Sequence, residues 1–526
     1  MVGLPARGKS YISRRLSQYI GFFFGTPTKV FNVGDYRRKA SCGNFQSAEF
    51  FDHTNEQGLL ERQRACDDAL ADLSRWMAEV VPNKVDKNND IHLSGDFGAV
   101  AIFDATNSTR ERRARICELL KPTGAKVIFI ESVCHDPAMI KRNILHAKVG
   151  GKDYSGVETD AAVADFEARI SKYEAVYEEL SPLERNLTWI KLIDGGRELS
   201  MNNVRGFLPS RIAQFLVNLH VDRRSFYFSR HGQSEYNRLG KIGGDSDLTE
   251  HGEAYARKLG EWVSQVRTFG TSTFARVYRR PAMPCHRAEE ASAQLTARAH
   301  RRPSGAQVVM RDKDGTPVPA RLWTSSLLRT RQTARHIPHP TIPFIKEDGS
   351  HAQWVNMRPK AFRALDELYA GSCDGMTYDE IAENFPEEDV RARATRMRNS
   401  NATARMRPAH ATDFLPSPSA PQVARKCDKF TYRYPRGESY ADLITRLEPL
   451  AHELERAREP VVIVAHQAIL RVLYAYFMGF AREECTRISI PLNTVIRITP
   501  TSSSCEEERT VVLAHPKGEQ LDPASH

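Results

Sequence analysis

Three short stretches hold side chains suited to moving phosphoryl groups. The first is GLPARGKS at positions 3–10, which fits G-x-x-x-x-G-K-[ST] through Gly3, Gly8, Lys9 and Ser10. In such a loop the backbone N–H groups and the positive end of the next helix cradle phosphates. The lysine ammonium reaches the outer phosphates and the hydroxyl ligates Mg2+. The second is AVAIFDATN, an apolar run ending at Asp104. A carboxylate there can hold Mg2+ opposite the loop hydroxyl. Alone, Asp104 reads equally as a helix N-cap before TNSTRERR; with the loop, it points to phosphoryl transfer. The third is SRHGQSEYN, which sets Arg230 and His231 at the end of an apolar run. Histidine can carry a covalent intermediate and titrates near neutrality. One RHG triplet is a chance match. It gains meaning beside Arg329 in SLLRTRQTA, Glu367 in LDELYAG and His466 in VVIVAHQAILR. In that set His231 attacks phosphorus in line, while Arg230, Arg329 and His466 neutralise the phosphoryl oxygens. Glu367 protonates the leaving oxygen and then takes a proton from water. That role needs a raised Glu pKa, which burial or nearby anionic phosphate would supply.

Strands must carry these residues. KVFNVG (29–34), AVAIFDAT (99–106) and KVIFIESV (126–133) read as buried strands ending at polar residues, separated by charged segments of helical character such as ERQRACDDALADLSRWMAEV. Strand–helix alternation implies an α/β fold with a parallel sheet and ligands at the strand C-termini. The pattern restarts near 220, where SFYFSRHG (225–232), RLWTSS (321–326) and PVVIVAHQ (460–467) again end on candidate functional residues. Two domains follow, 1–220 and 221–526. The length of 526 residues gives ample core for both.

Bulk properties narrow the class. Hydrophobic content of 41% and charged content of 27% describe an ordinary globular chain. The net charge of +10 fits nucleic acid, a membrane surface or anionic small substrates alike, and much of the arginine excess lies in two stretches, 270–320 and 391–424, rich in Arg, Ala, Pro and Ser. These read as disordered insertions. The sharper reading is a basic docking arm for RNA or an acidic partner. Scarce aromatics weigh against single-stranded nucleic acid. No run is long enough to span a membrane, and Arg7 and Lys9 interrupt any signal-peptide pattern. The nine scattered cysteines show no zinc-like spacing and fit a reducing, cytoplasmic setting.

GLPARGKS, GTPTKVFNVGDYRR, FDATNSTRERR and ESVCHDP resemble the kinase half of the 6-phosphofructo-2-kinase/fructose-2,6-bisphosphatase family. The second half resembles the histidine phosphatase superfamily, which includes phosphoglycerate mutases. IGGDSDLT and FTYRYPRGESYADL point within it to the bisphosphatase of the same family. The resemblance implies a P-loop NTPase-like parallel sheet followed by a histidine phosphatase-like α/β sandwich. It implies ATP as co-substrate, held by Gly3, Leu4, Pro5, Ala6, Arg7, Gly8, Lys9, Ser10 and Asn143. Mg2+ would sit on Ser10 and Asp104, and Lys148 near the transferring phosphoryl. Fructose 6-phosphate would meet Arg37, Thr106, Arg112, Lys148, Arg169 and Tyr173, with Arg62 or Arg64 as a further contact. Cys134 falls at a family active-site position, with a small buried hydrophobe at a strand end as the alternative reading. Fructose 2,6-bisphosphate would meet Arg230, Asn237, Gly243, Arg329, Tyr378, Arg425, Lys429, Tyr440, Gln467 and Arg471. The phosphatase half needs no cofactor, and relatives form homodimers.

Three departures stand out. Relatives carry a hydrophobic strand before the phosphate loop; here only Met1 and Val2 precede it, so the first strand is expected to be missing, through truncation or with an impaired kinase. Gln233 replaces a family Glu beside the nucleophile. Tyr369 stands where relatives have a small or acidic residue and would narrow the pocket. The leading expectation is a bifunctional enzyme that makes and hydrolyses fructose 2,6-bisphosphate. The alternatives are a phosphatase with a dead kinase, or a non-catalytic nucleotide or sugar-phosphate sensor.

Overall fold

The computed structural model describes residues 1–41, 46–80, 98–145, 154, 158–219, 224–266, 310, 320–339, 341–345, 350–355, 359–385, 428–501 and 505–514. Both insertions of the sequence reading fall almost wholly outside them. The chain divides into two compact units, Met1–Val221 with Thr501–Ser504, and Asp222–Pro500 with Cys505–His526.

In the first unit β1 (Thr28–Asn32) and β2 (Val100–Asp104) pair in parallel, with Asn32 opposite Asp104. β3 (Ile128–Val133) runs parallel to β4 (Thr188–Ile193), and β5 (Glu198–Asn202) closes that sheet antiparallel to β4. Met1–Gly3 lie between β2 and β3. The Met1 amino group donates to Phe103 O (2.8 Å) and Val2 N to Ile130 O (2.7 Å). Ser132 N donates to Val2 O (3.0 Å) and Gly3 N to Thr106 O (3.0 Å). Two residues thus stand in the strand position, and the phosphate loop hangs from them rather than starting unsupported. Val2 is fully buried among Phe129, Leu180 and Trp189.

Helix Glu56–Val80 shows why the sheet holds. Its buried Ala65, Cys66, Ala69, Leu70 and Leu73 recur at three- and four-residue spacing. That apolar stripe packs on Phe31 and Phe103 of β1 and β2 and on Ile116 and Leu120 of helix Arg110–Leu120. Behind it, Arg113 is buried in a bidentate pair with Glu184 (2.8 and 2.7 Å) and also donates to Asn107 O and Glu178 O.

The second unit is built on a six-stranded sheet. Its strands are β6 (Phe226–Arg230), β7 (Arg321–Thr324), β10 (Pro359–Ala361), β11 (Val461–Ala465), β12 (Thr494–Pro500) and β13 (Cys505–Val511), in the order β10-β7-β11-β6-β12-β13. The first four are parallel, and β12 runs antiparallel to both of its neighbours, β6 and β13. β8 (Thr341–Ile345) and β9 (His351–Val355) form a separate hairpin. β6 and β11 are buried along their whole length, β11 as the uninterrupted apolar run VVIVA and β6 as FYF followed by the buried Ser229 and Arg230. The edge strand β13 exposes Glu506, Glu507 and Glu508, charges that discourage edge pairing. No described helix is long and apolar enough to cross a membrane.

Candidate active sites

The phosphate loop turns on positive φ at Gly3 (132°), Ala6 (59°) and Gly8 (83°), and Gly8 caps helix Lys9–Phe24. Gly3 has a second constraint: a Cβ there would meet Ser132 O of β3 at 2.5 Å. Loop carbonyls are held from outside, Arg7 O by Ser132 Oγ (2.5 Å) and Ala6 O by Asn143 Nδ2 (3.0 Å). Arg7 itself donates to Pro5 O (3.1 Å). Lys9 Nζ folds across the loop onto Leu4 O (2.7 Å). Ser10 follows in the first helical turn. Asp104 is buried at the end of β2, and Asn32 Nδ2 holds its Oδ2 at 2.6 Å. A buried carboxylate at a strand end beside a phosphate loop fits Mg2+, which commonly binds one or two protein oxygens plus substrate phosphates. Among the described residues no cluster of three or more His, Cys, Asp or Glu could hold a metal without such help. Cys134 is buried with Met139 Sδ at 3.5 Å, and burial pushes its thiol up, so it stays protonated and packs as a small apolar group.

Two sequence-predicted arginines stack in this unit on an aromatic that sequence reading missed, Phe51, and two more lie close by. Its ring carries the Arg169 guanidinium at 3.6 Å and that of Arg37 at 4.9 Å, with the Tyr173 ring at 6.0 Å. Arg62 reaches the same segment, donating to the carbonyls of Phe50 and Asp52 (the latter at 3.1 Å). Burial lowers its pKa, with the charges of Arg112 and Arg169 adding to the effect and that of Tyr173 opposing it. Arg62 is therefore the member of the Arg62/Arg64 pair that joins the cluster. Arg112 Nε donates to Asn107 Oδ1 (3.2 Å), and Thr106 lies beside Gly3 through its carbonyl. So many cations gathered in one place suit an anionic ligand. Lys148 lies outside the described residues.

In the second unit the sheet order lines up the chemistry along the C-terminal edge. His231 follows β6 and His466 follows β11, and His231 N extends the ladder to Ala465 O (3.0 Å). The imidazole centroids stand 5.1 Å apart. His231 Nδ1 contacts Gly232 O at 2.7 Å, while Arg329 Nε donates to His231 Nε2 (3.2 Å). A carbonyl at one nitrogen and a donor at the other assign the proton to Nδ1 and leave the lone pair on Nε2. Burial, then the charges of Arg329 and Arg230, hold the His231 pKa well below 6.5. The ring is neutral and nucleophilic at pH 7. His466 is fully buried and shifted the same way, first by burial and then by Arg329, His231 and Arg230. Its Nε2 meets Ser325 Oγ at 2.7 Å, at the end of β7.

Arg329 bridges the nucleophile and the next loop, since its Nη1 donates to Gly244 O (2.6 Å). Asp374 shapes that loop. Its Oδ2 accepts from Gly244 N (2.9 Å), and its Oδ1 sits where a Cβ on Gly243 (φ 65°) would fall, at 1.8 Å. Glu367 follows β10 on the same edge of the sheet, accepts from Leu368 N (2.9 Å), and acts electrostatically on Arg329. Of the sugar-bisphosphate candidates, Gln467 opens the helix that His466 caps, and Arg471 stands one turn further on, donating to Tyr440 OH (3.3 Å) and Ile488 O (2.6 Å). Asn237 is fixed by accepting from Ser234 N and Oγ (both 3.1 Å). Tyr378 opens helix Tyr378–Asn384, and Lys429 lies in the turn before Tyr440. Arg425 lies outside the described residues. Gln233 faces Thr249, whose hydroxyl donates to its Oε1 (2.9 Å), and Tyr369 is half exposed. Ser325 and Asp374 escaped sequence reading; the one available signal was the position of Ser325 at a strand end.

Fold and site define a two-part protein, a P-loop kinase unit followed by a histidine phosphatase unit. The family model for 6-phosphofructo-2-kinase matches residues 1–223, and that for the histidine phosphatase superfamily (branch 1) matches 226–282 and 418–512. The chain is 36% identical over 510 residues to 6-phosphofructo-2-kinase/fructose-2,6-bisphosphatase 3 of Rattus norvegicus, covering 97% of this chain and 70% of that one. It is 36% identical over 511 residues to 6-phosphofructo-2-kinase/fructose-2,6-bisphosphatase of Aquarana catesbeiana, and over 509 residues to that of Gallus gallus, covering 97% of this chain and 83% of each. The chain belongs to the 6-phosphofructo-2-kinase/fructose-2,6-bisphosphatase family.

Proposed function

We propose that the first unit makes fructose 2,6-bisphosphate from ATP and fructose 6-phosphate, and that the second hydrolyses it at the 2-phosphate. The observation that carries the reading is the neutral His231, its Nε2 lone pair facing Arg329, with His466 beside it on adjoining strand ends. Kinase and phosphatase domains are assigned to 1–220 and 221–526.

In the phosphatase, His231 Nε2 attacks phosphorus as the bond to the C2 oxygen breaks. Arg329 turns from Nε2 to the phosphoryl oxygens, with Arg230 and His466 on the others. Glu367 gives its proton to the leaving oxygen, and fructose 6-phosphate departs. Water then attacks phosphohistidine, Glu367 takes the proton back, and phosphate leaves with His231 restored. Asn237, Gly243, Tyr378, Arg425, Lys429, Tyr440, Gln467 and Arg471 hold the sugar and its remaining phosphate.

In the kinase, loop N–H groups and Lys9 bind the ATP phosphates, and Asn143 lies by the nucleotide. Arg37, Arg62, Arg112 and Arg169, with Thr106 and Tyr173, hold fructose 6-phosphate so that its 2-hydroxyl faces the terminal phosphate. Ser10 and Asp104 would hold Mg2+, which neutralises phosphate charge. We further assign a homodimer and a cytoplasmic setting, in line with the family resemblance and cysteine usage. A sensor has no use for both His231 and Glu367, so the catalytic reading is preferred.

Incubation with fructose 2,6-bisphosphate labelled at the 2-phosphate tests the covalent route. Acid-labile label should appear on the wild-type protein and vanish in His231→Ala. A wild-type protein that hydrolyses the substrate without ever carrying label would overturn it.

A further inference from the structure

Glu367 must meet a leaving oxygen to within a fraction of an ångström, yet it rides on a loop. Between β10 and Gly371 the regular structure of that loop is a single 3-10 turn, Arg363–Leu365. One side chain gathers it from outside. Arg446, on helix Tyr440–Arg456, donates through Nη1 to Arg363 O (3.0 Å) and Ala364 O (3.3 Å). Its Nη2 donates to Asp366 O (3.1 Å) and reaches Glu367 O at 3.5 Å. The same Nη2 pairs with the Glu438 carboxylate at 2.9 Å. Glu438 accepts from Tyr369 N (3.1 Å) and donates its own N–H to Tyr369 O (2.9 Å), so the clamp spans both sides of Glu367. On the far side, the Asp366 carboxylate accepts from Ser326 N (2.7 Å) and Ser326 Oγ (2.6 Å), tying the loop to the end of β7.

We propose that Arg446 is the positioning residue for Glu367, holding the acid-bearing loop by its carbonyls so that the carboxyl group stands at the leaving oxygen. The planar guanidinium fork can serve several carbonyls at once, which a lysine ammonium on a flexible stem cannot. The inference rests on the phosphatase reading above.

The test separates positioning from a merely structural role by the leaving group. The C2 oxygen of the sugar needs a proton as it departs, whereas p-nitrophenolate does not. In Arg446→Met, kcat for fructose 2,6-bisphosphate should fall about 30–100-fold, the scale of a displaced general acid, with KM within about threefold. Rapid phosphoenzyme formation from p-nitrophenyl phosphate should change by less than about threefold. Adding Arg446→Met to Glu367→Gln should cost little more than Glu367→Gln alone, because the two changes remove one function. Should Arg446→Met melt well below wild type, Arg446→Lys keeps the charge and stem and should show the same split. Equal losses on both phosphoryl donors, or full additivity with Glu367→Gln, would overturn the proposal. So would wild-type rates in Arg446→Met. A wild-type protein that hydrolyses no fructose 2,6-bisphosphate would overturn the phosphatase reading itself, a distinct result.

Discussion

At His231 the direction of the pKa shift has a consequence for stability as well as reactivity. The folded ring resists protonation because it is buried between Arg230 and Arg329. In the unfolded chain it protonates near 6.5. Below that pH the unfolded state binds more protons, so stability present above 6.5 is lost as pH falls toward the folded value. His466 adds to the same slope. We expect the melting temperature to drop between pH 7 and pH 5, and His231→Ala to flatten that drop; an unchanged slope in the variant would contradict the assignment of a buried neutral ring. Much at this scale was legible in the sequence. Asp104, Arg230, His231 and His466 are polar residues that end apolar runs, and burial there needs a reason, while Lys9 is marked by the phosphate-loop pattern and Arg329 by its place in SLLRTRQTA. Phe51, Ser325 and Asp374 were not legible. An aromatic, a serine and an aspartate are common on any surface, and only folding shows that they face an arginine, a histidine and a glycine turn.

At the scale of elements, parallel strands bring the chemistry together because their C-terminal ends lie side by side. KVFNVG, AVAIFDAT, KVIFIESV, SFYFSRHG, RLWTSS and PVVIVAHQ are each an apolar run closed by polar residues, and each is a strand whose ends lie within two residues of those bounds. Their order in the sheet depends on which strands pair, and no local pattern carries that. Loops between them take their shape from single contacts. Asp374 is one, anchoring Gly244 N while Arg329 holds Gly244 O. Asp374→Ala should free this turn and lower kcat/KM for fructose 2,6-bisphosphate about tenfold, the scale of a small misplacement at a site, with synthesis unchanged; steady-state assays of both reactions check it. In the phosphate loop, Gly3→Ala should abolish synthesis, since the added Cβ would stand 2.5 Å from Ser132 O. ATP-dependent formation of fructose 2,6-bisphosphate at wild-type rate in that variant would contradict the close approach of loop and β3.

At the scale of the whole molecule, the strand–helix pattern restarts near 220, and the two compact units meet in the chain at Val221 and Asp222. Each unit has its own core and its own buried ion pair, Arg113–Glu184 in the first and Arg224–Glu455 in the second. Removing one partner strands the other charge in the interior, at a cost of about 3–5 kcal/mol. Arg113→Met should therefore lower the stability of the first unit by about that much and depress synthesis on warming while hydrolysis persists; parallel thermal-inactivation curves for the two activities would show it. The support of the phosphate loop belongs to this scale too. The sequence places just Met1 and Val2 before Gly3, and only the sheet reveals that they bond to both β2 and β3.

The most direct measurement is a pair of assays on this 526-residue chain and on His231→Ala, one following ATP-dependent formation of fructose 2,6-bisphosphate and the other its hydrolysis. Both activities are expected in the wild type, and in the variant no hydrolysis with synthesis intact. A folded wild-type chain with neither activity, or a His231→Ala variant that hydrolyses as fast as the wild type, would contradict it.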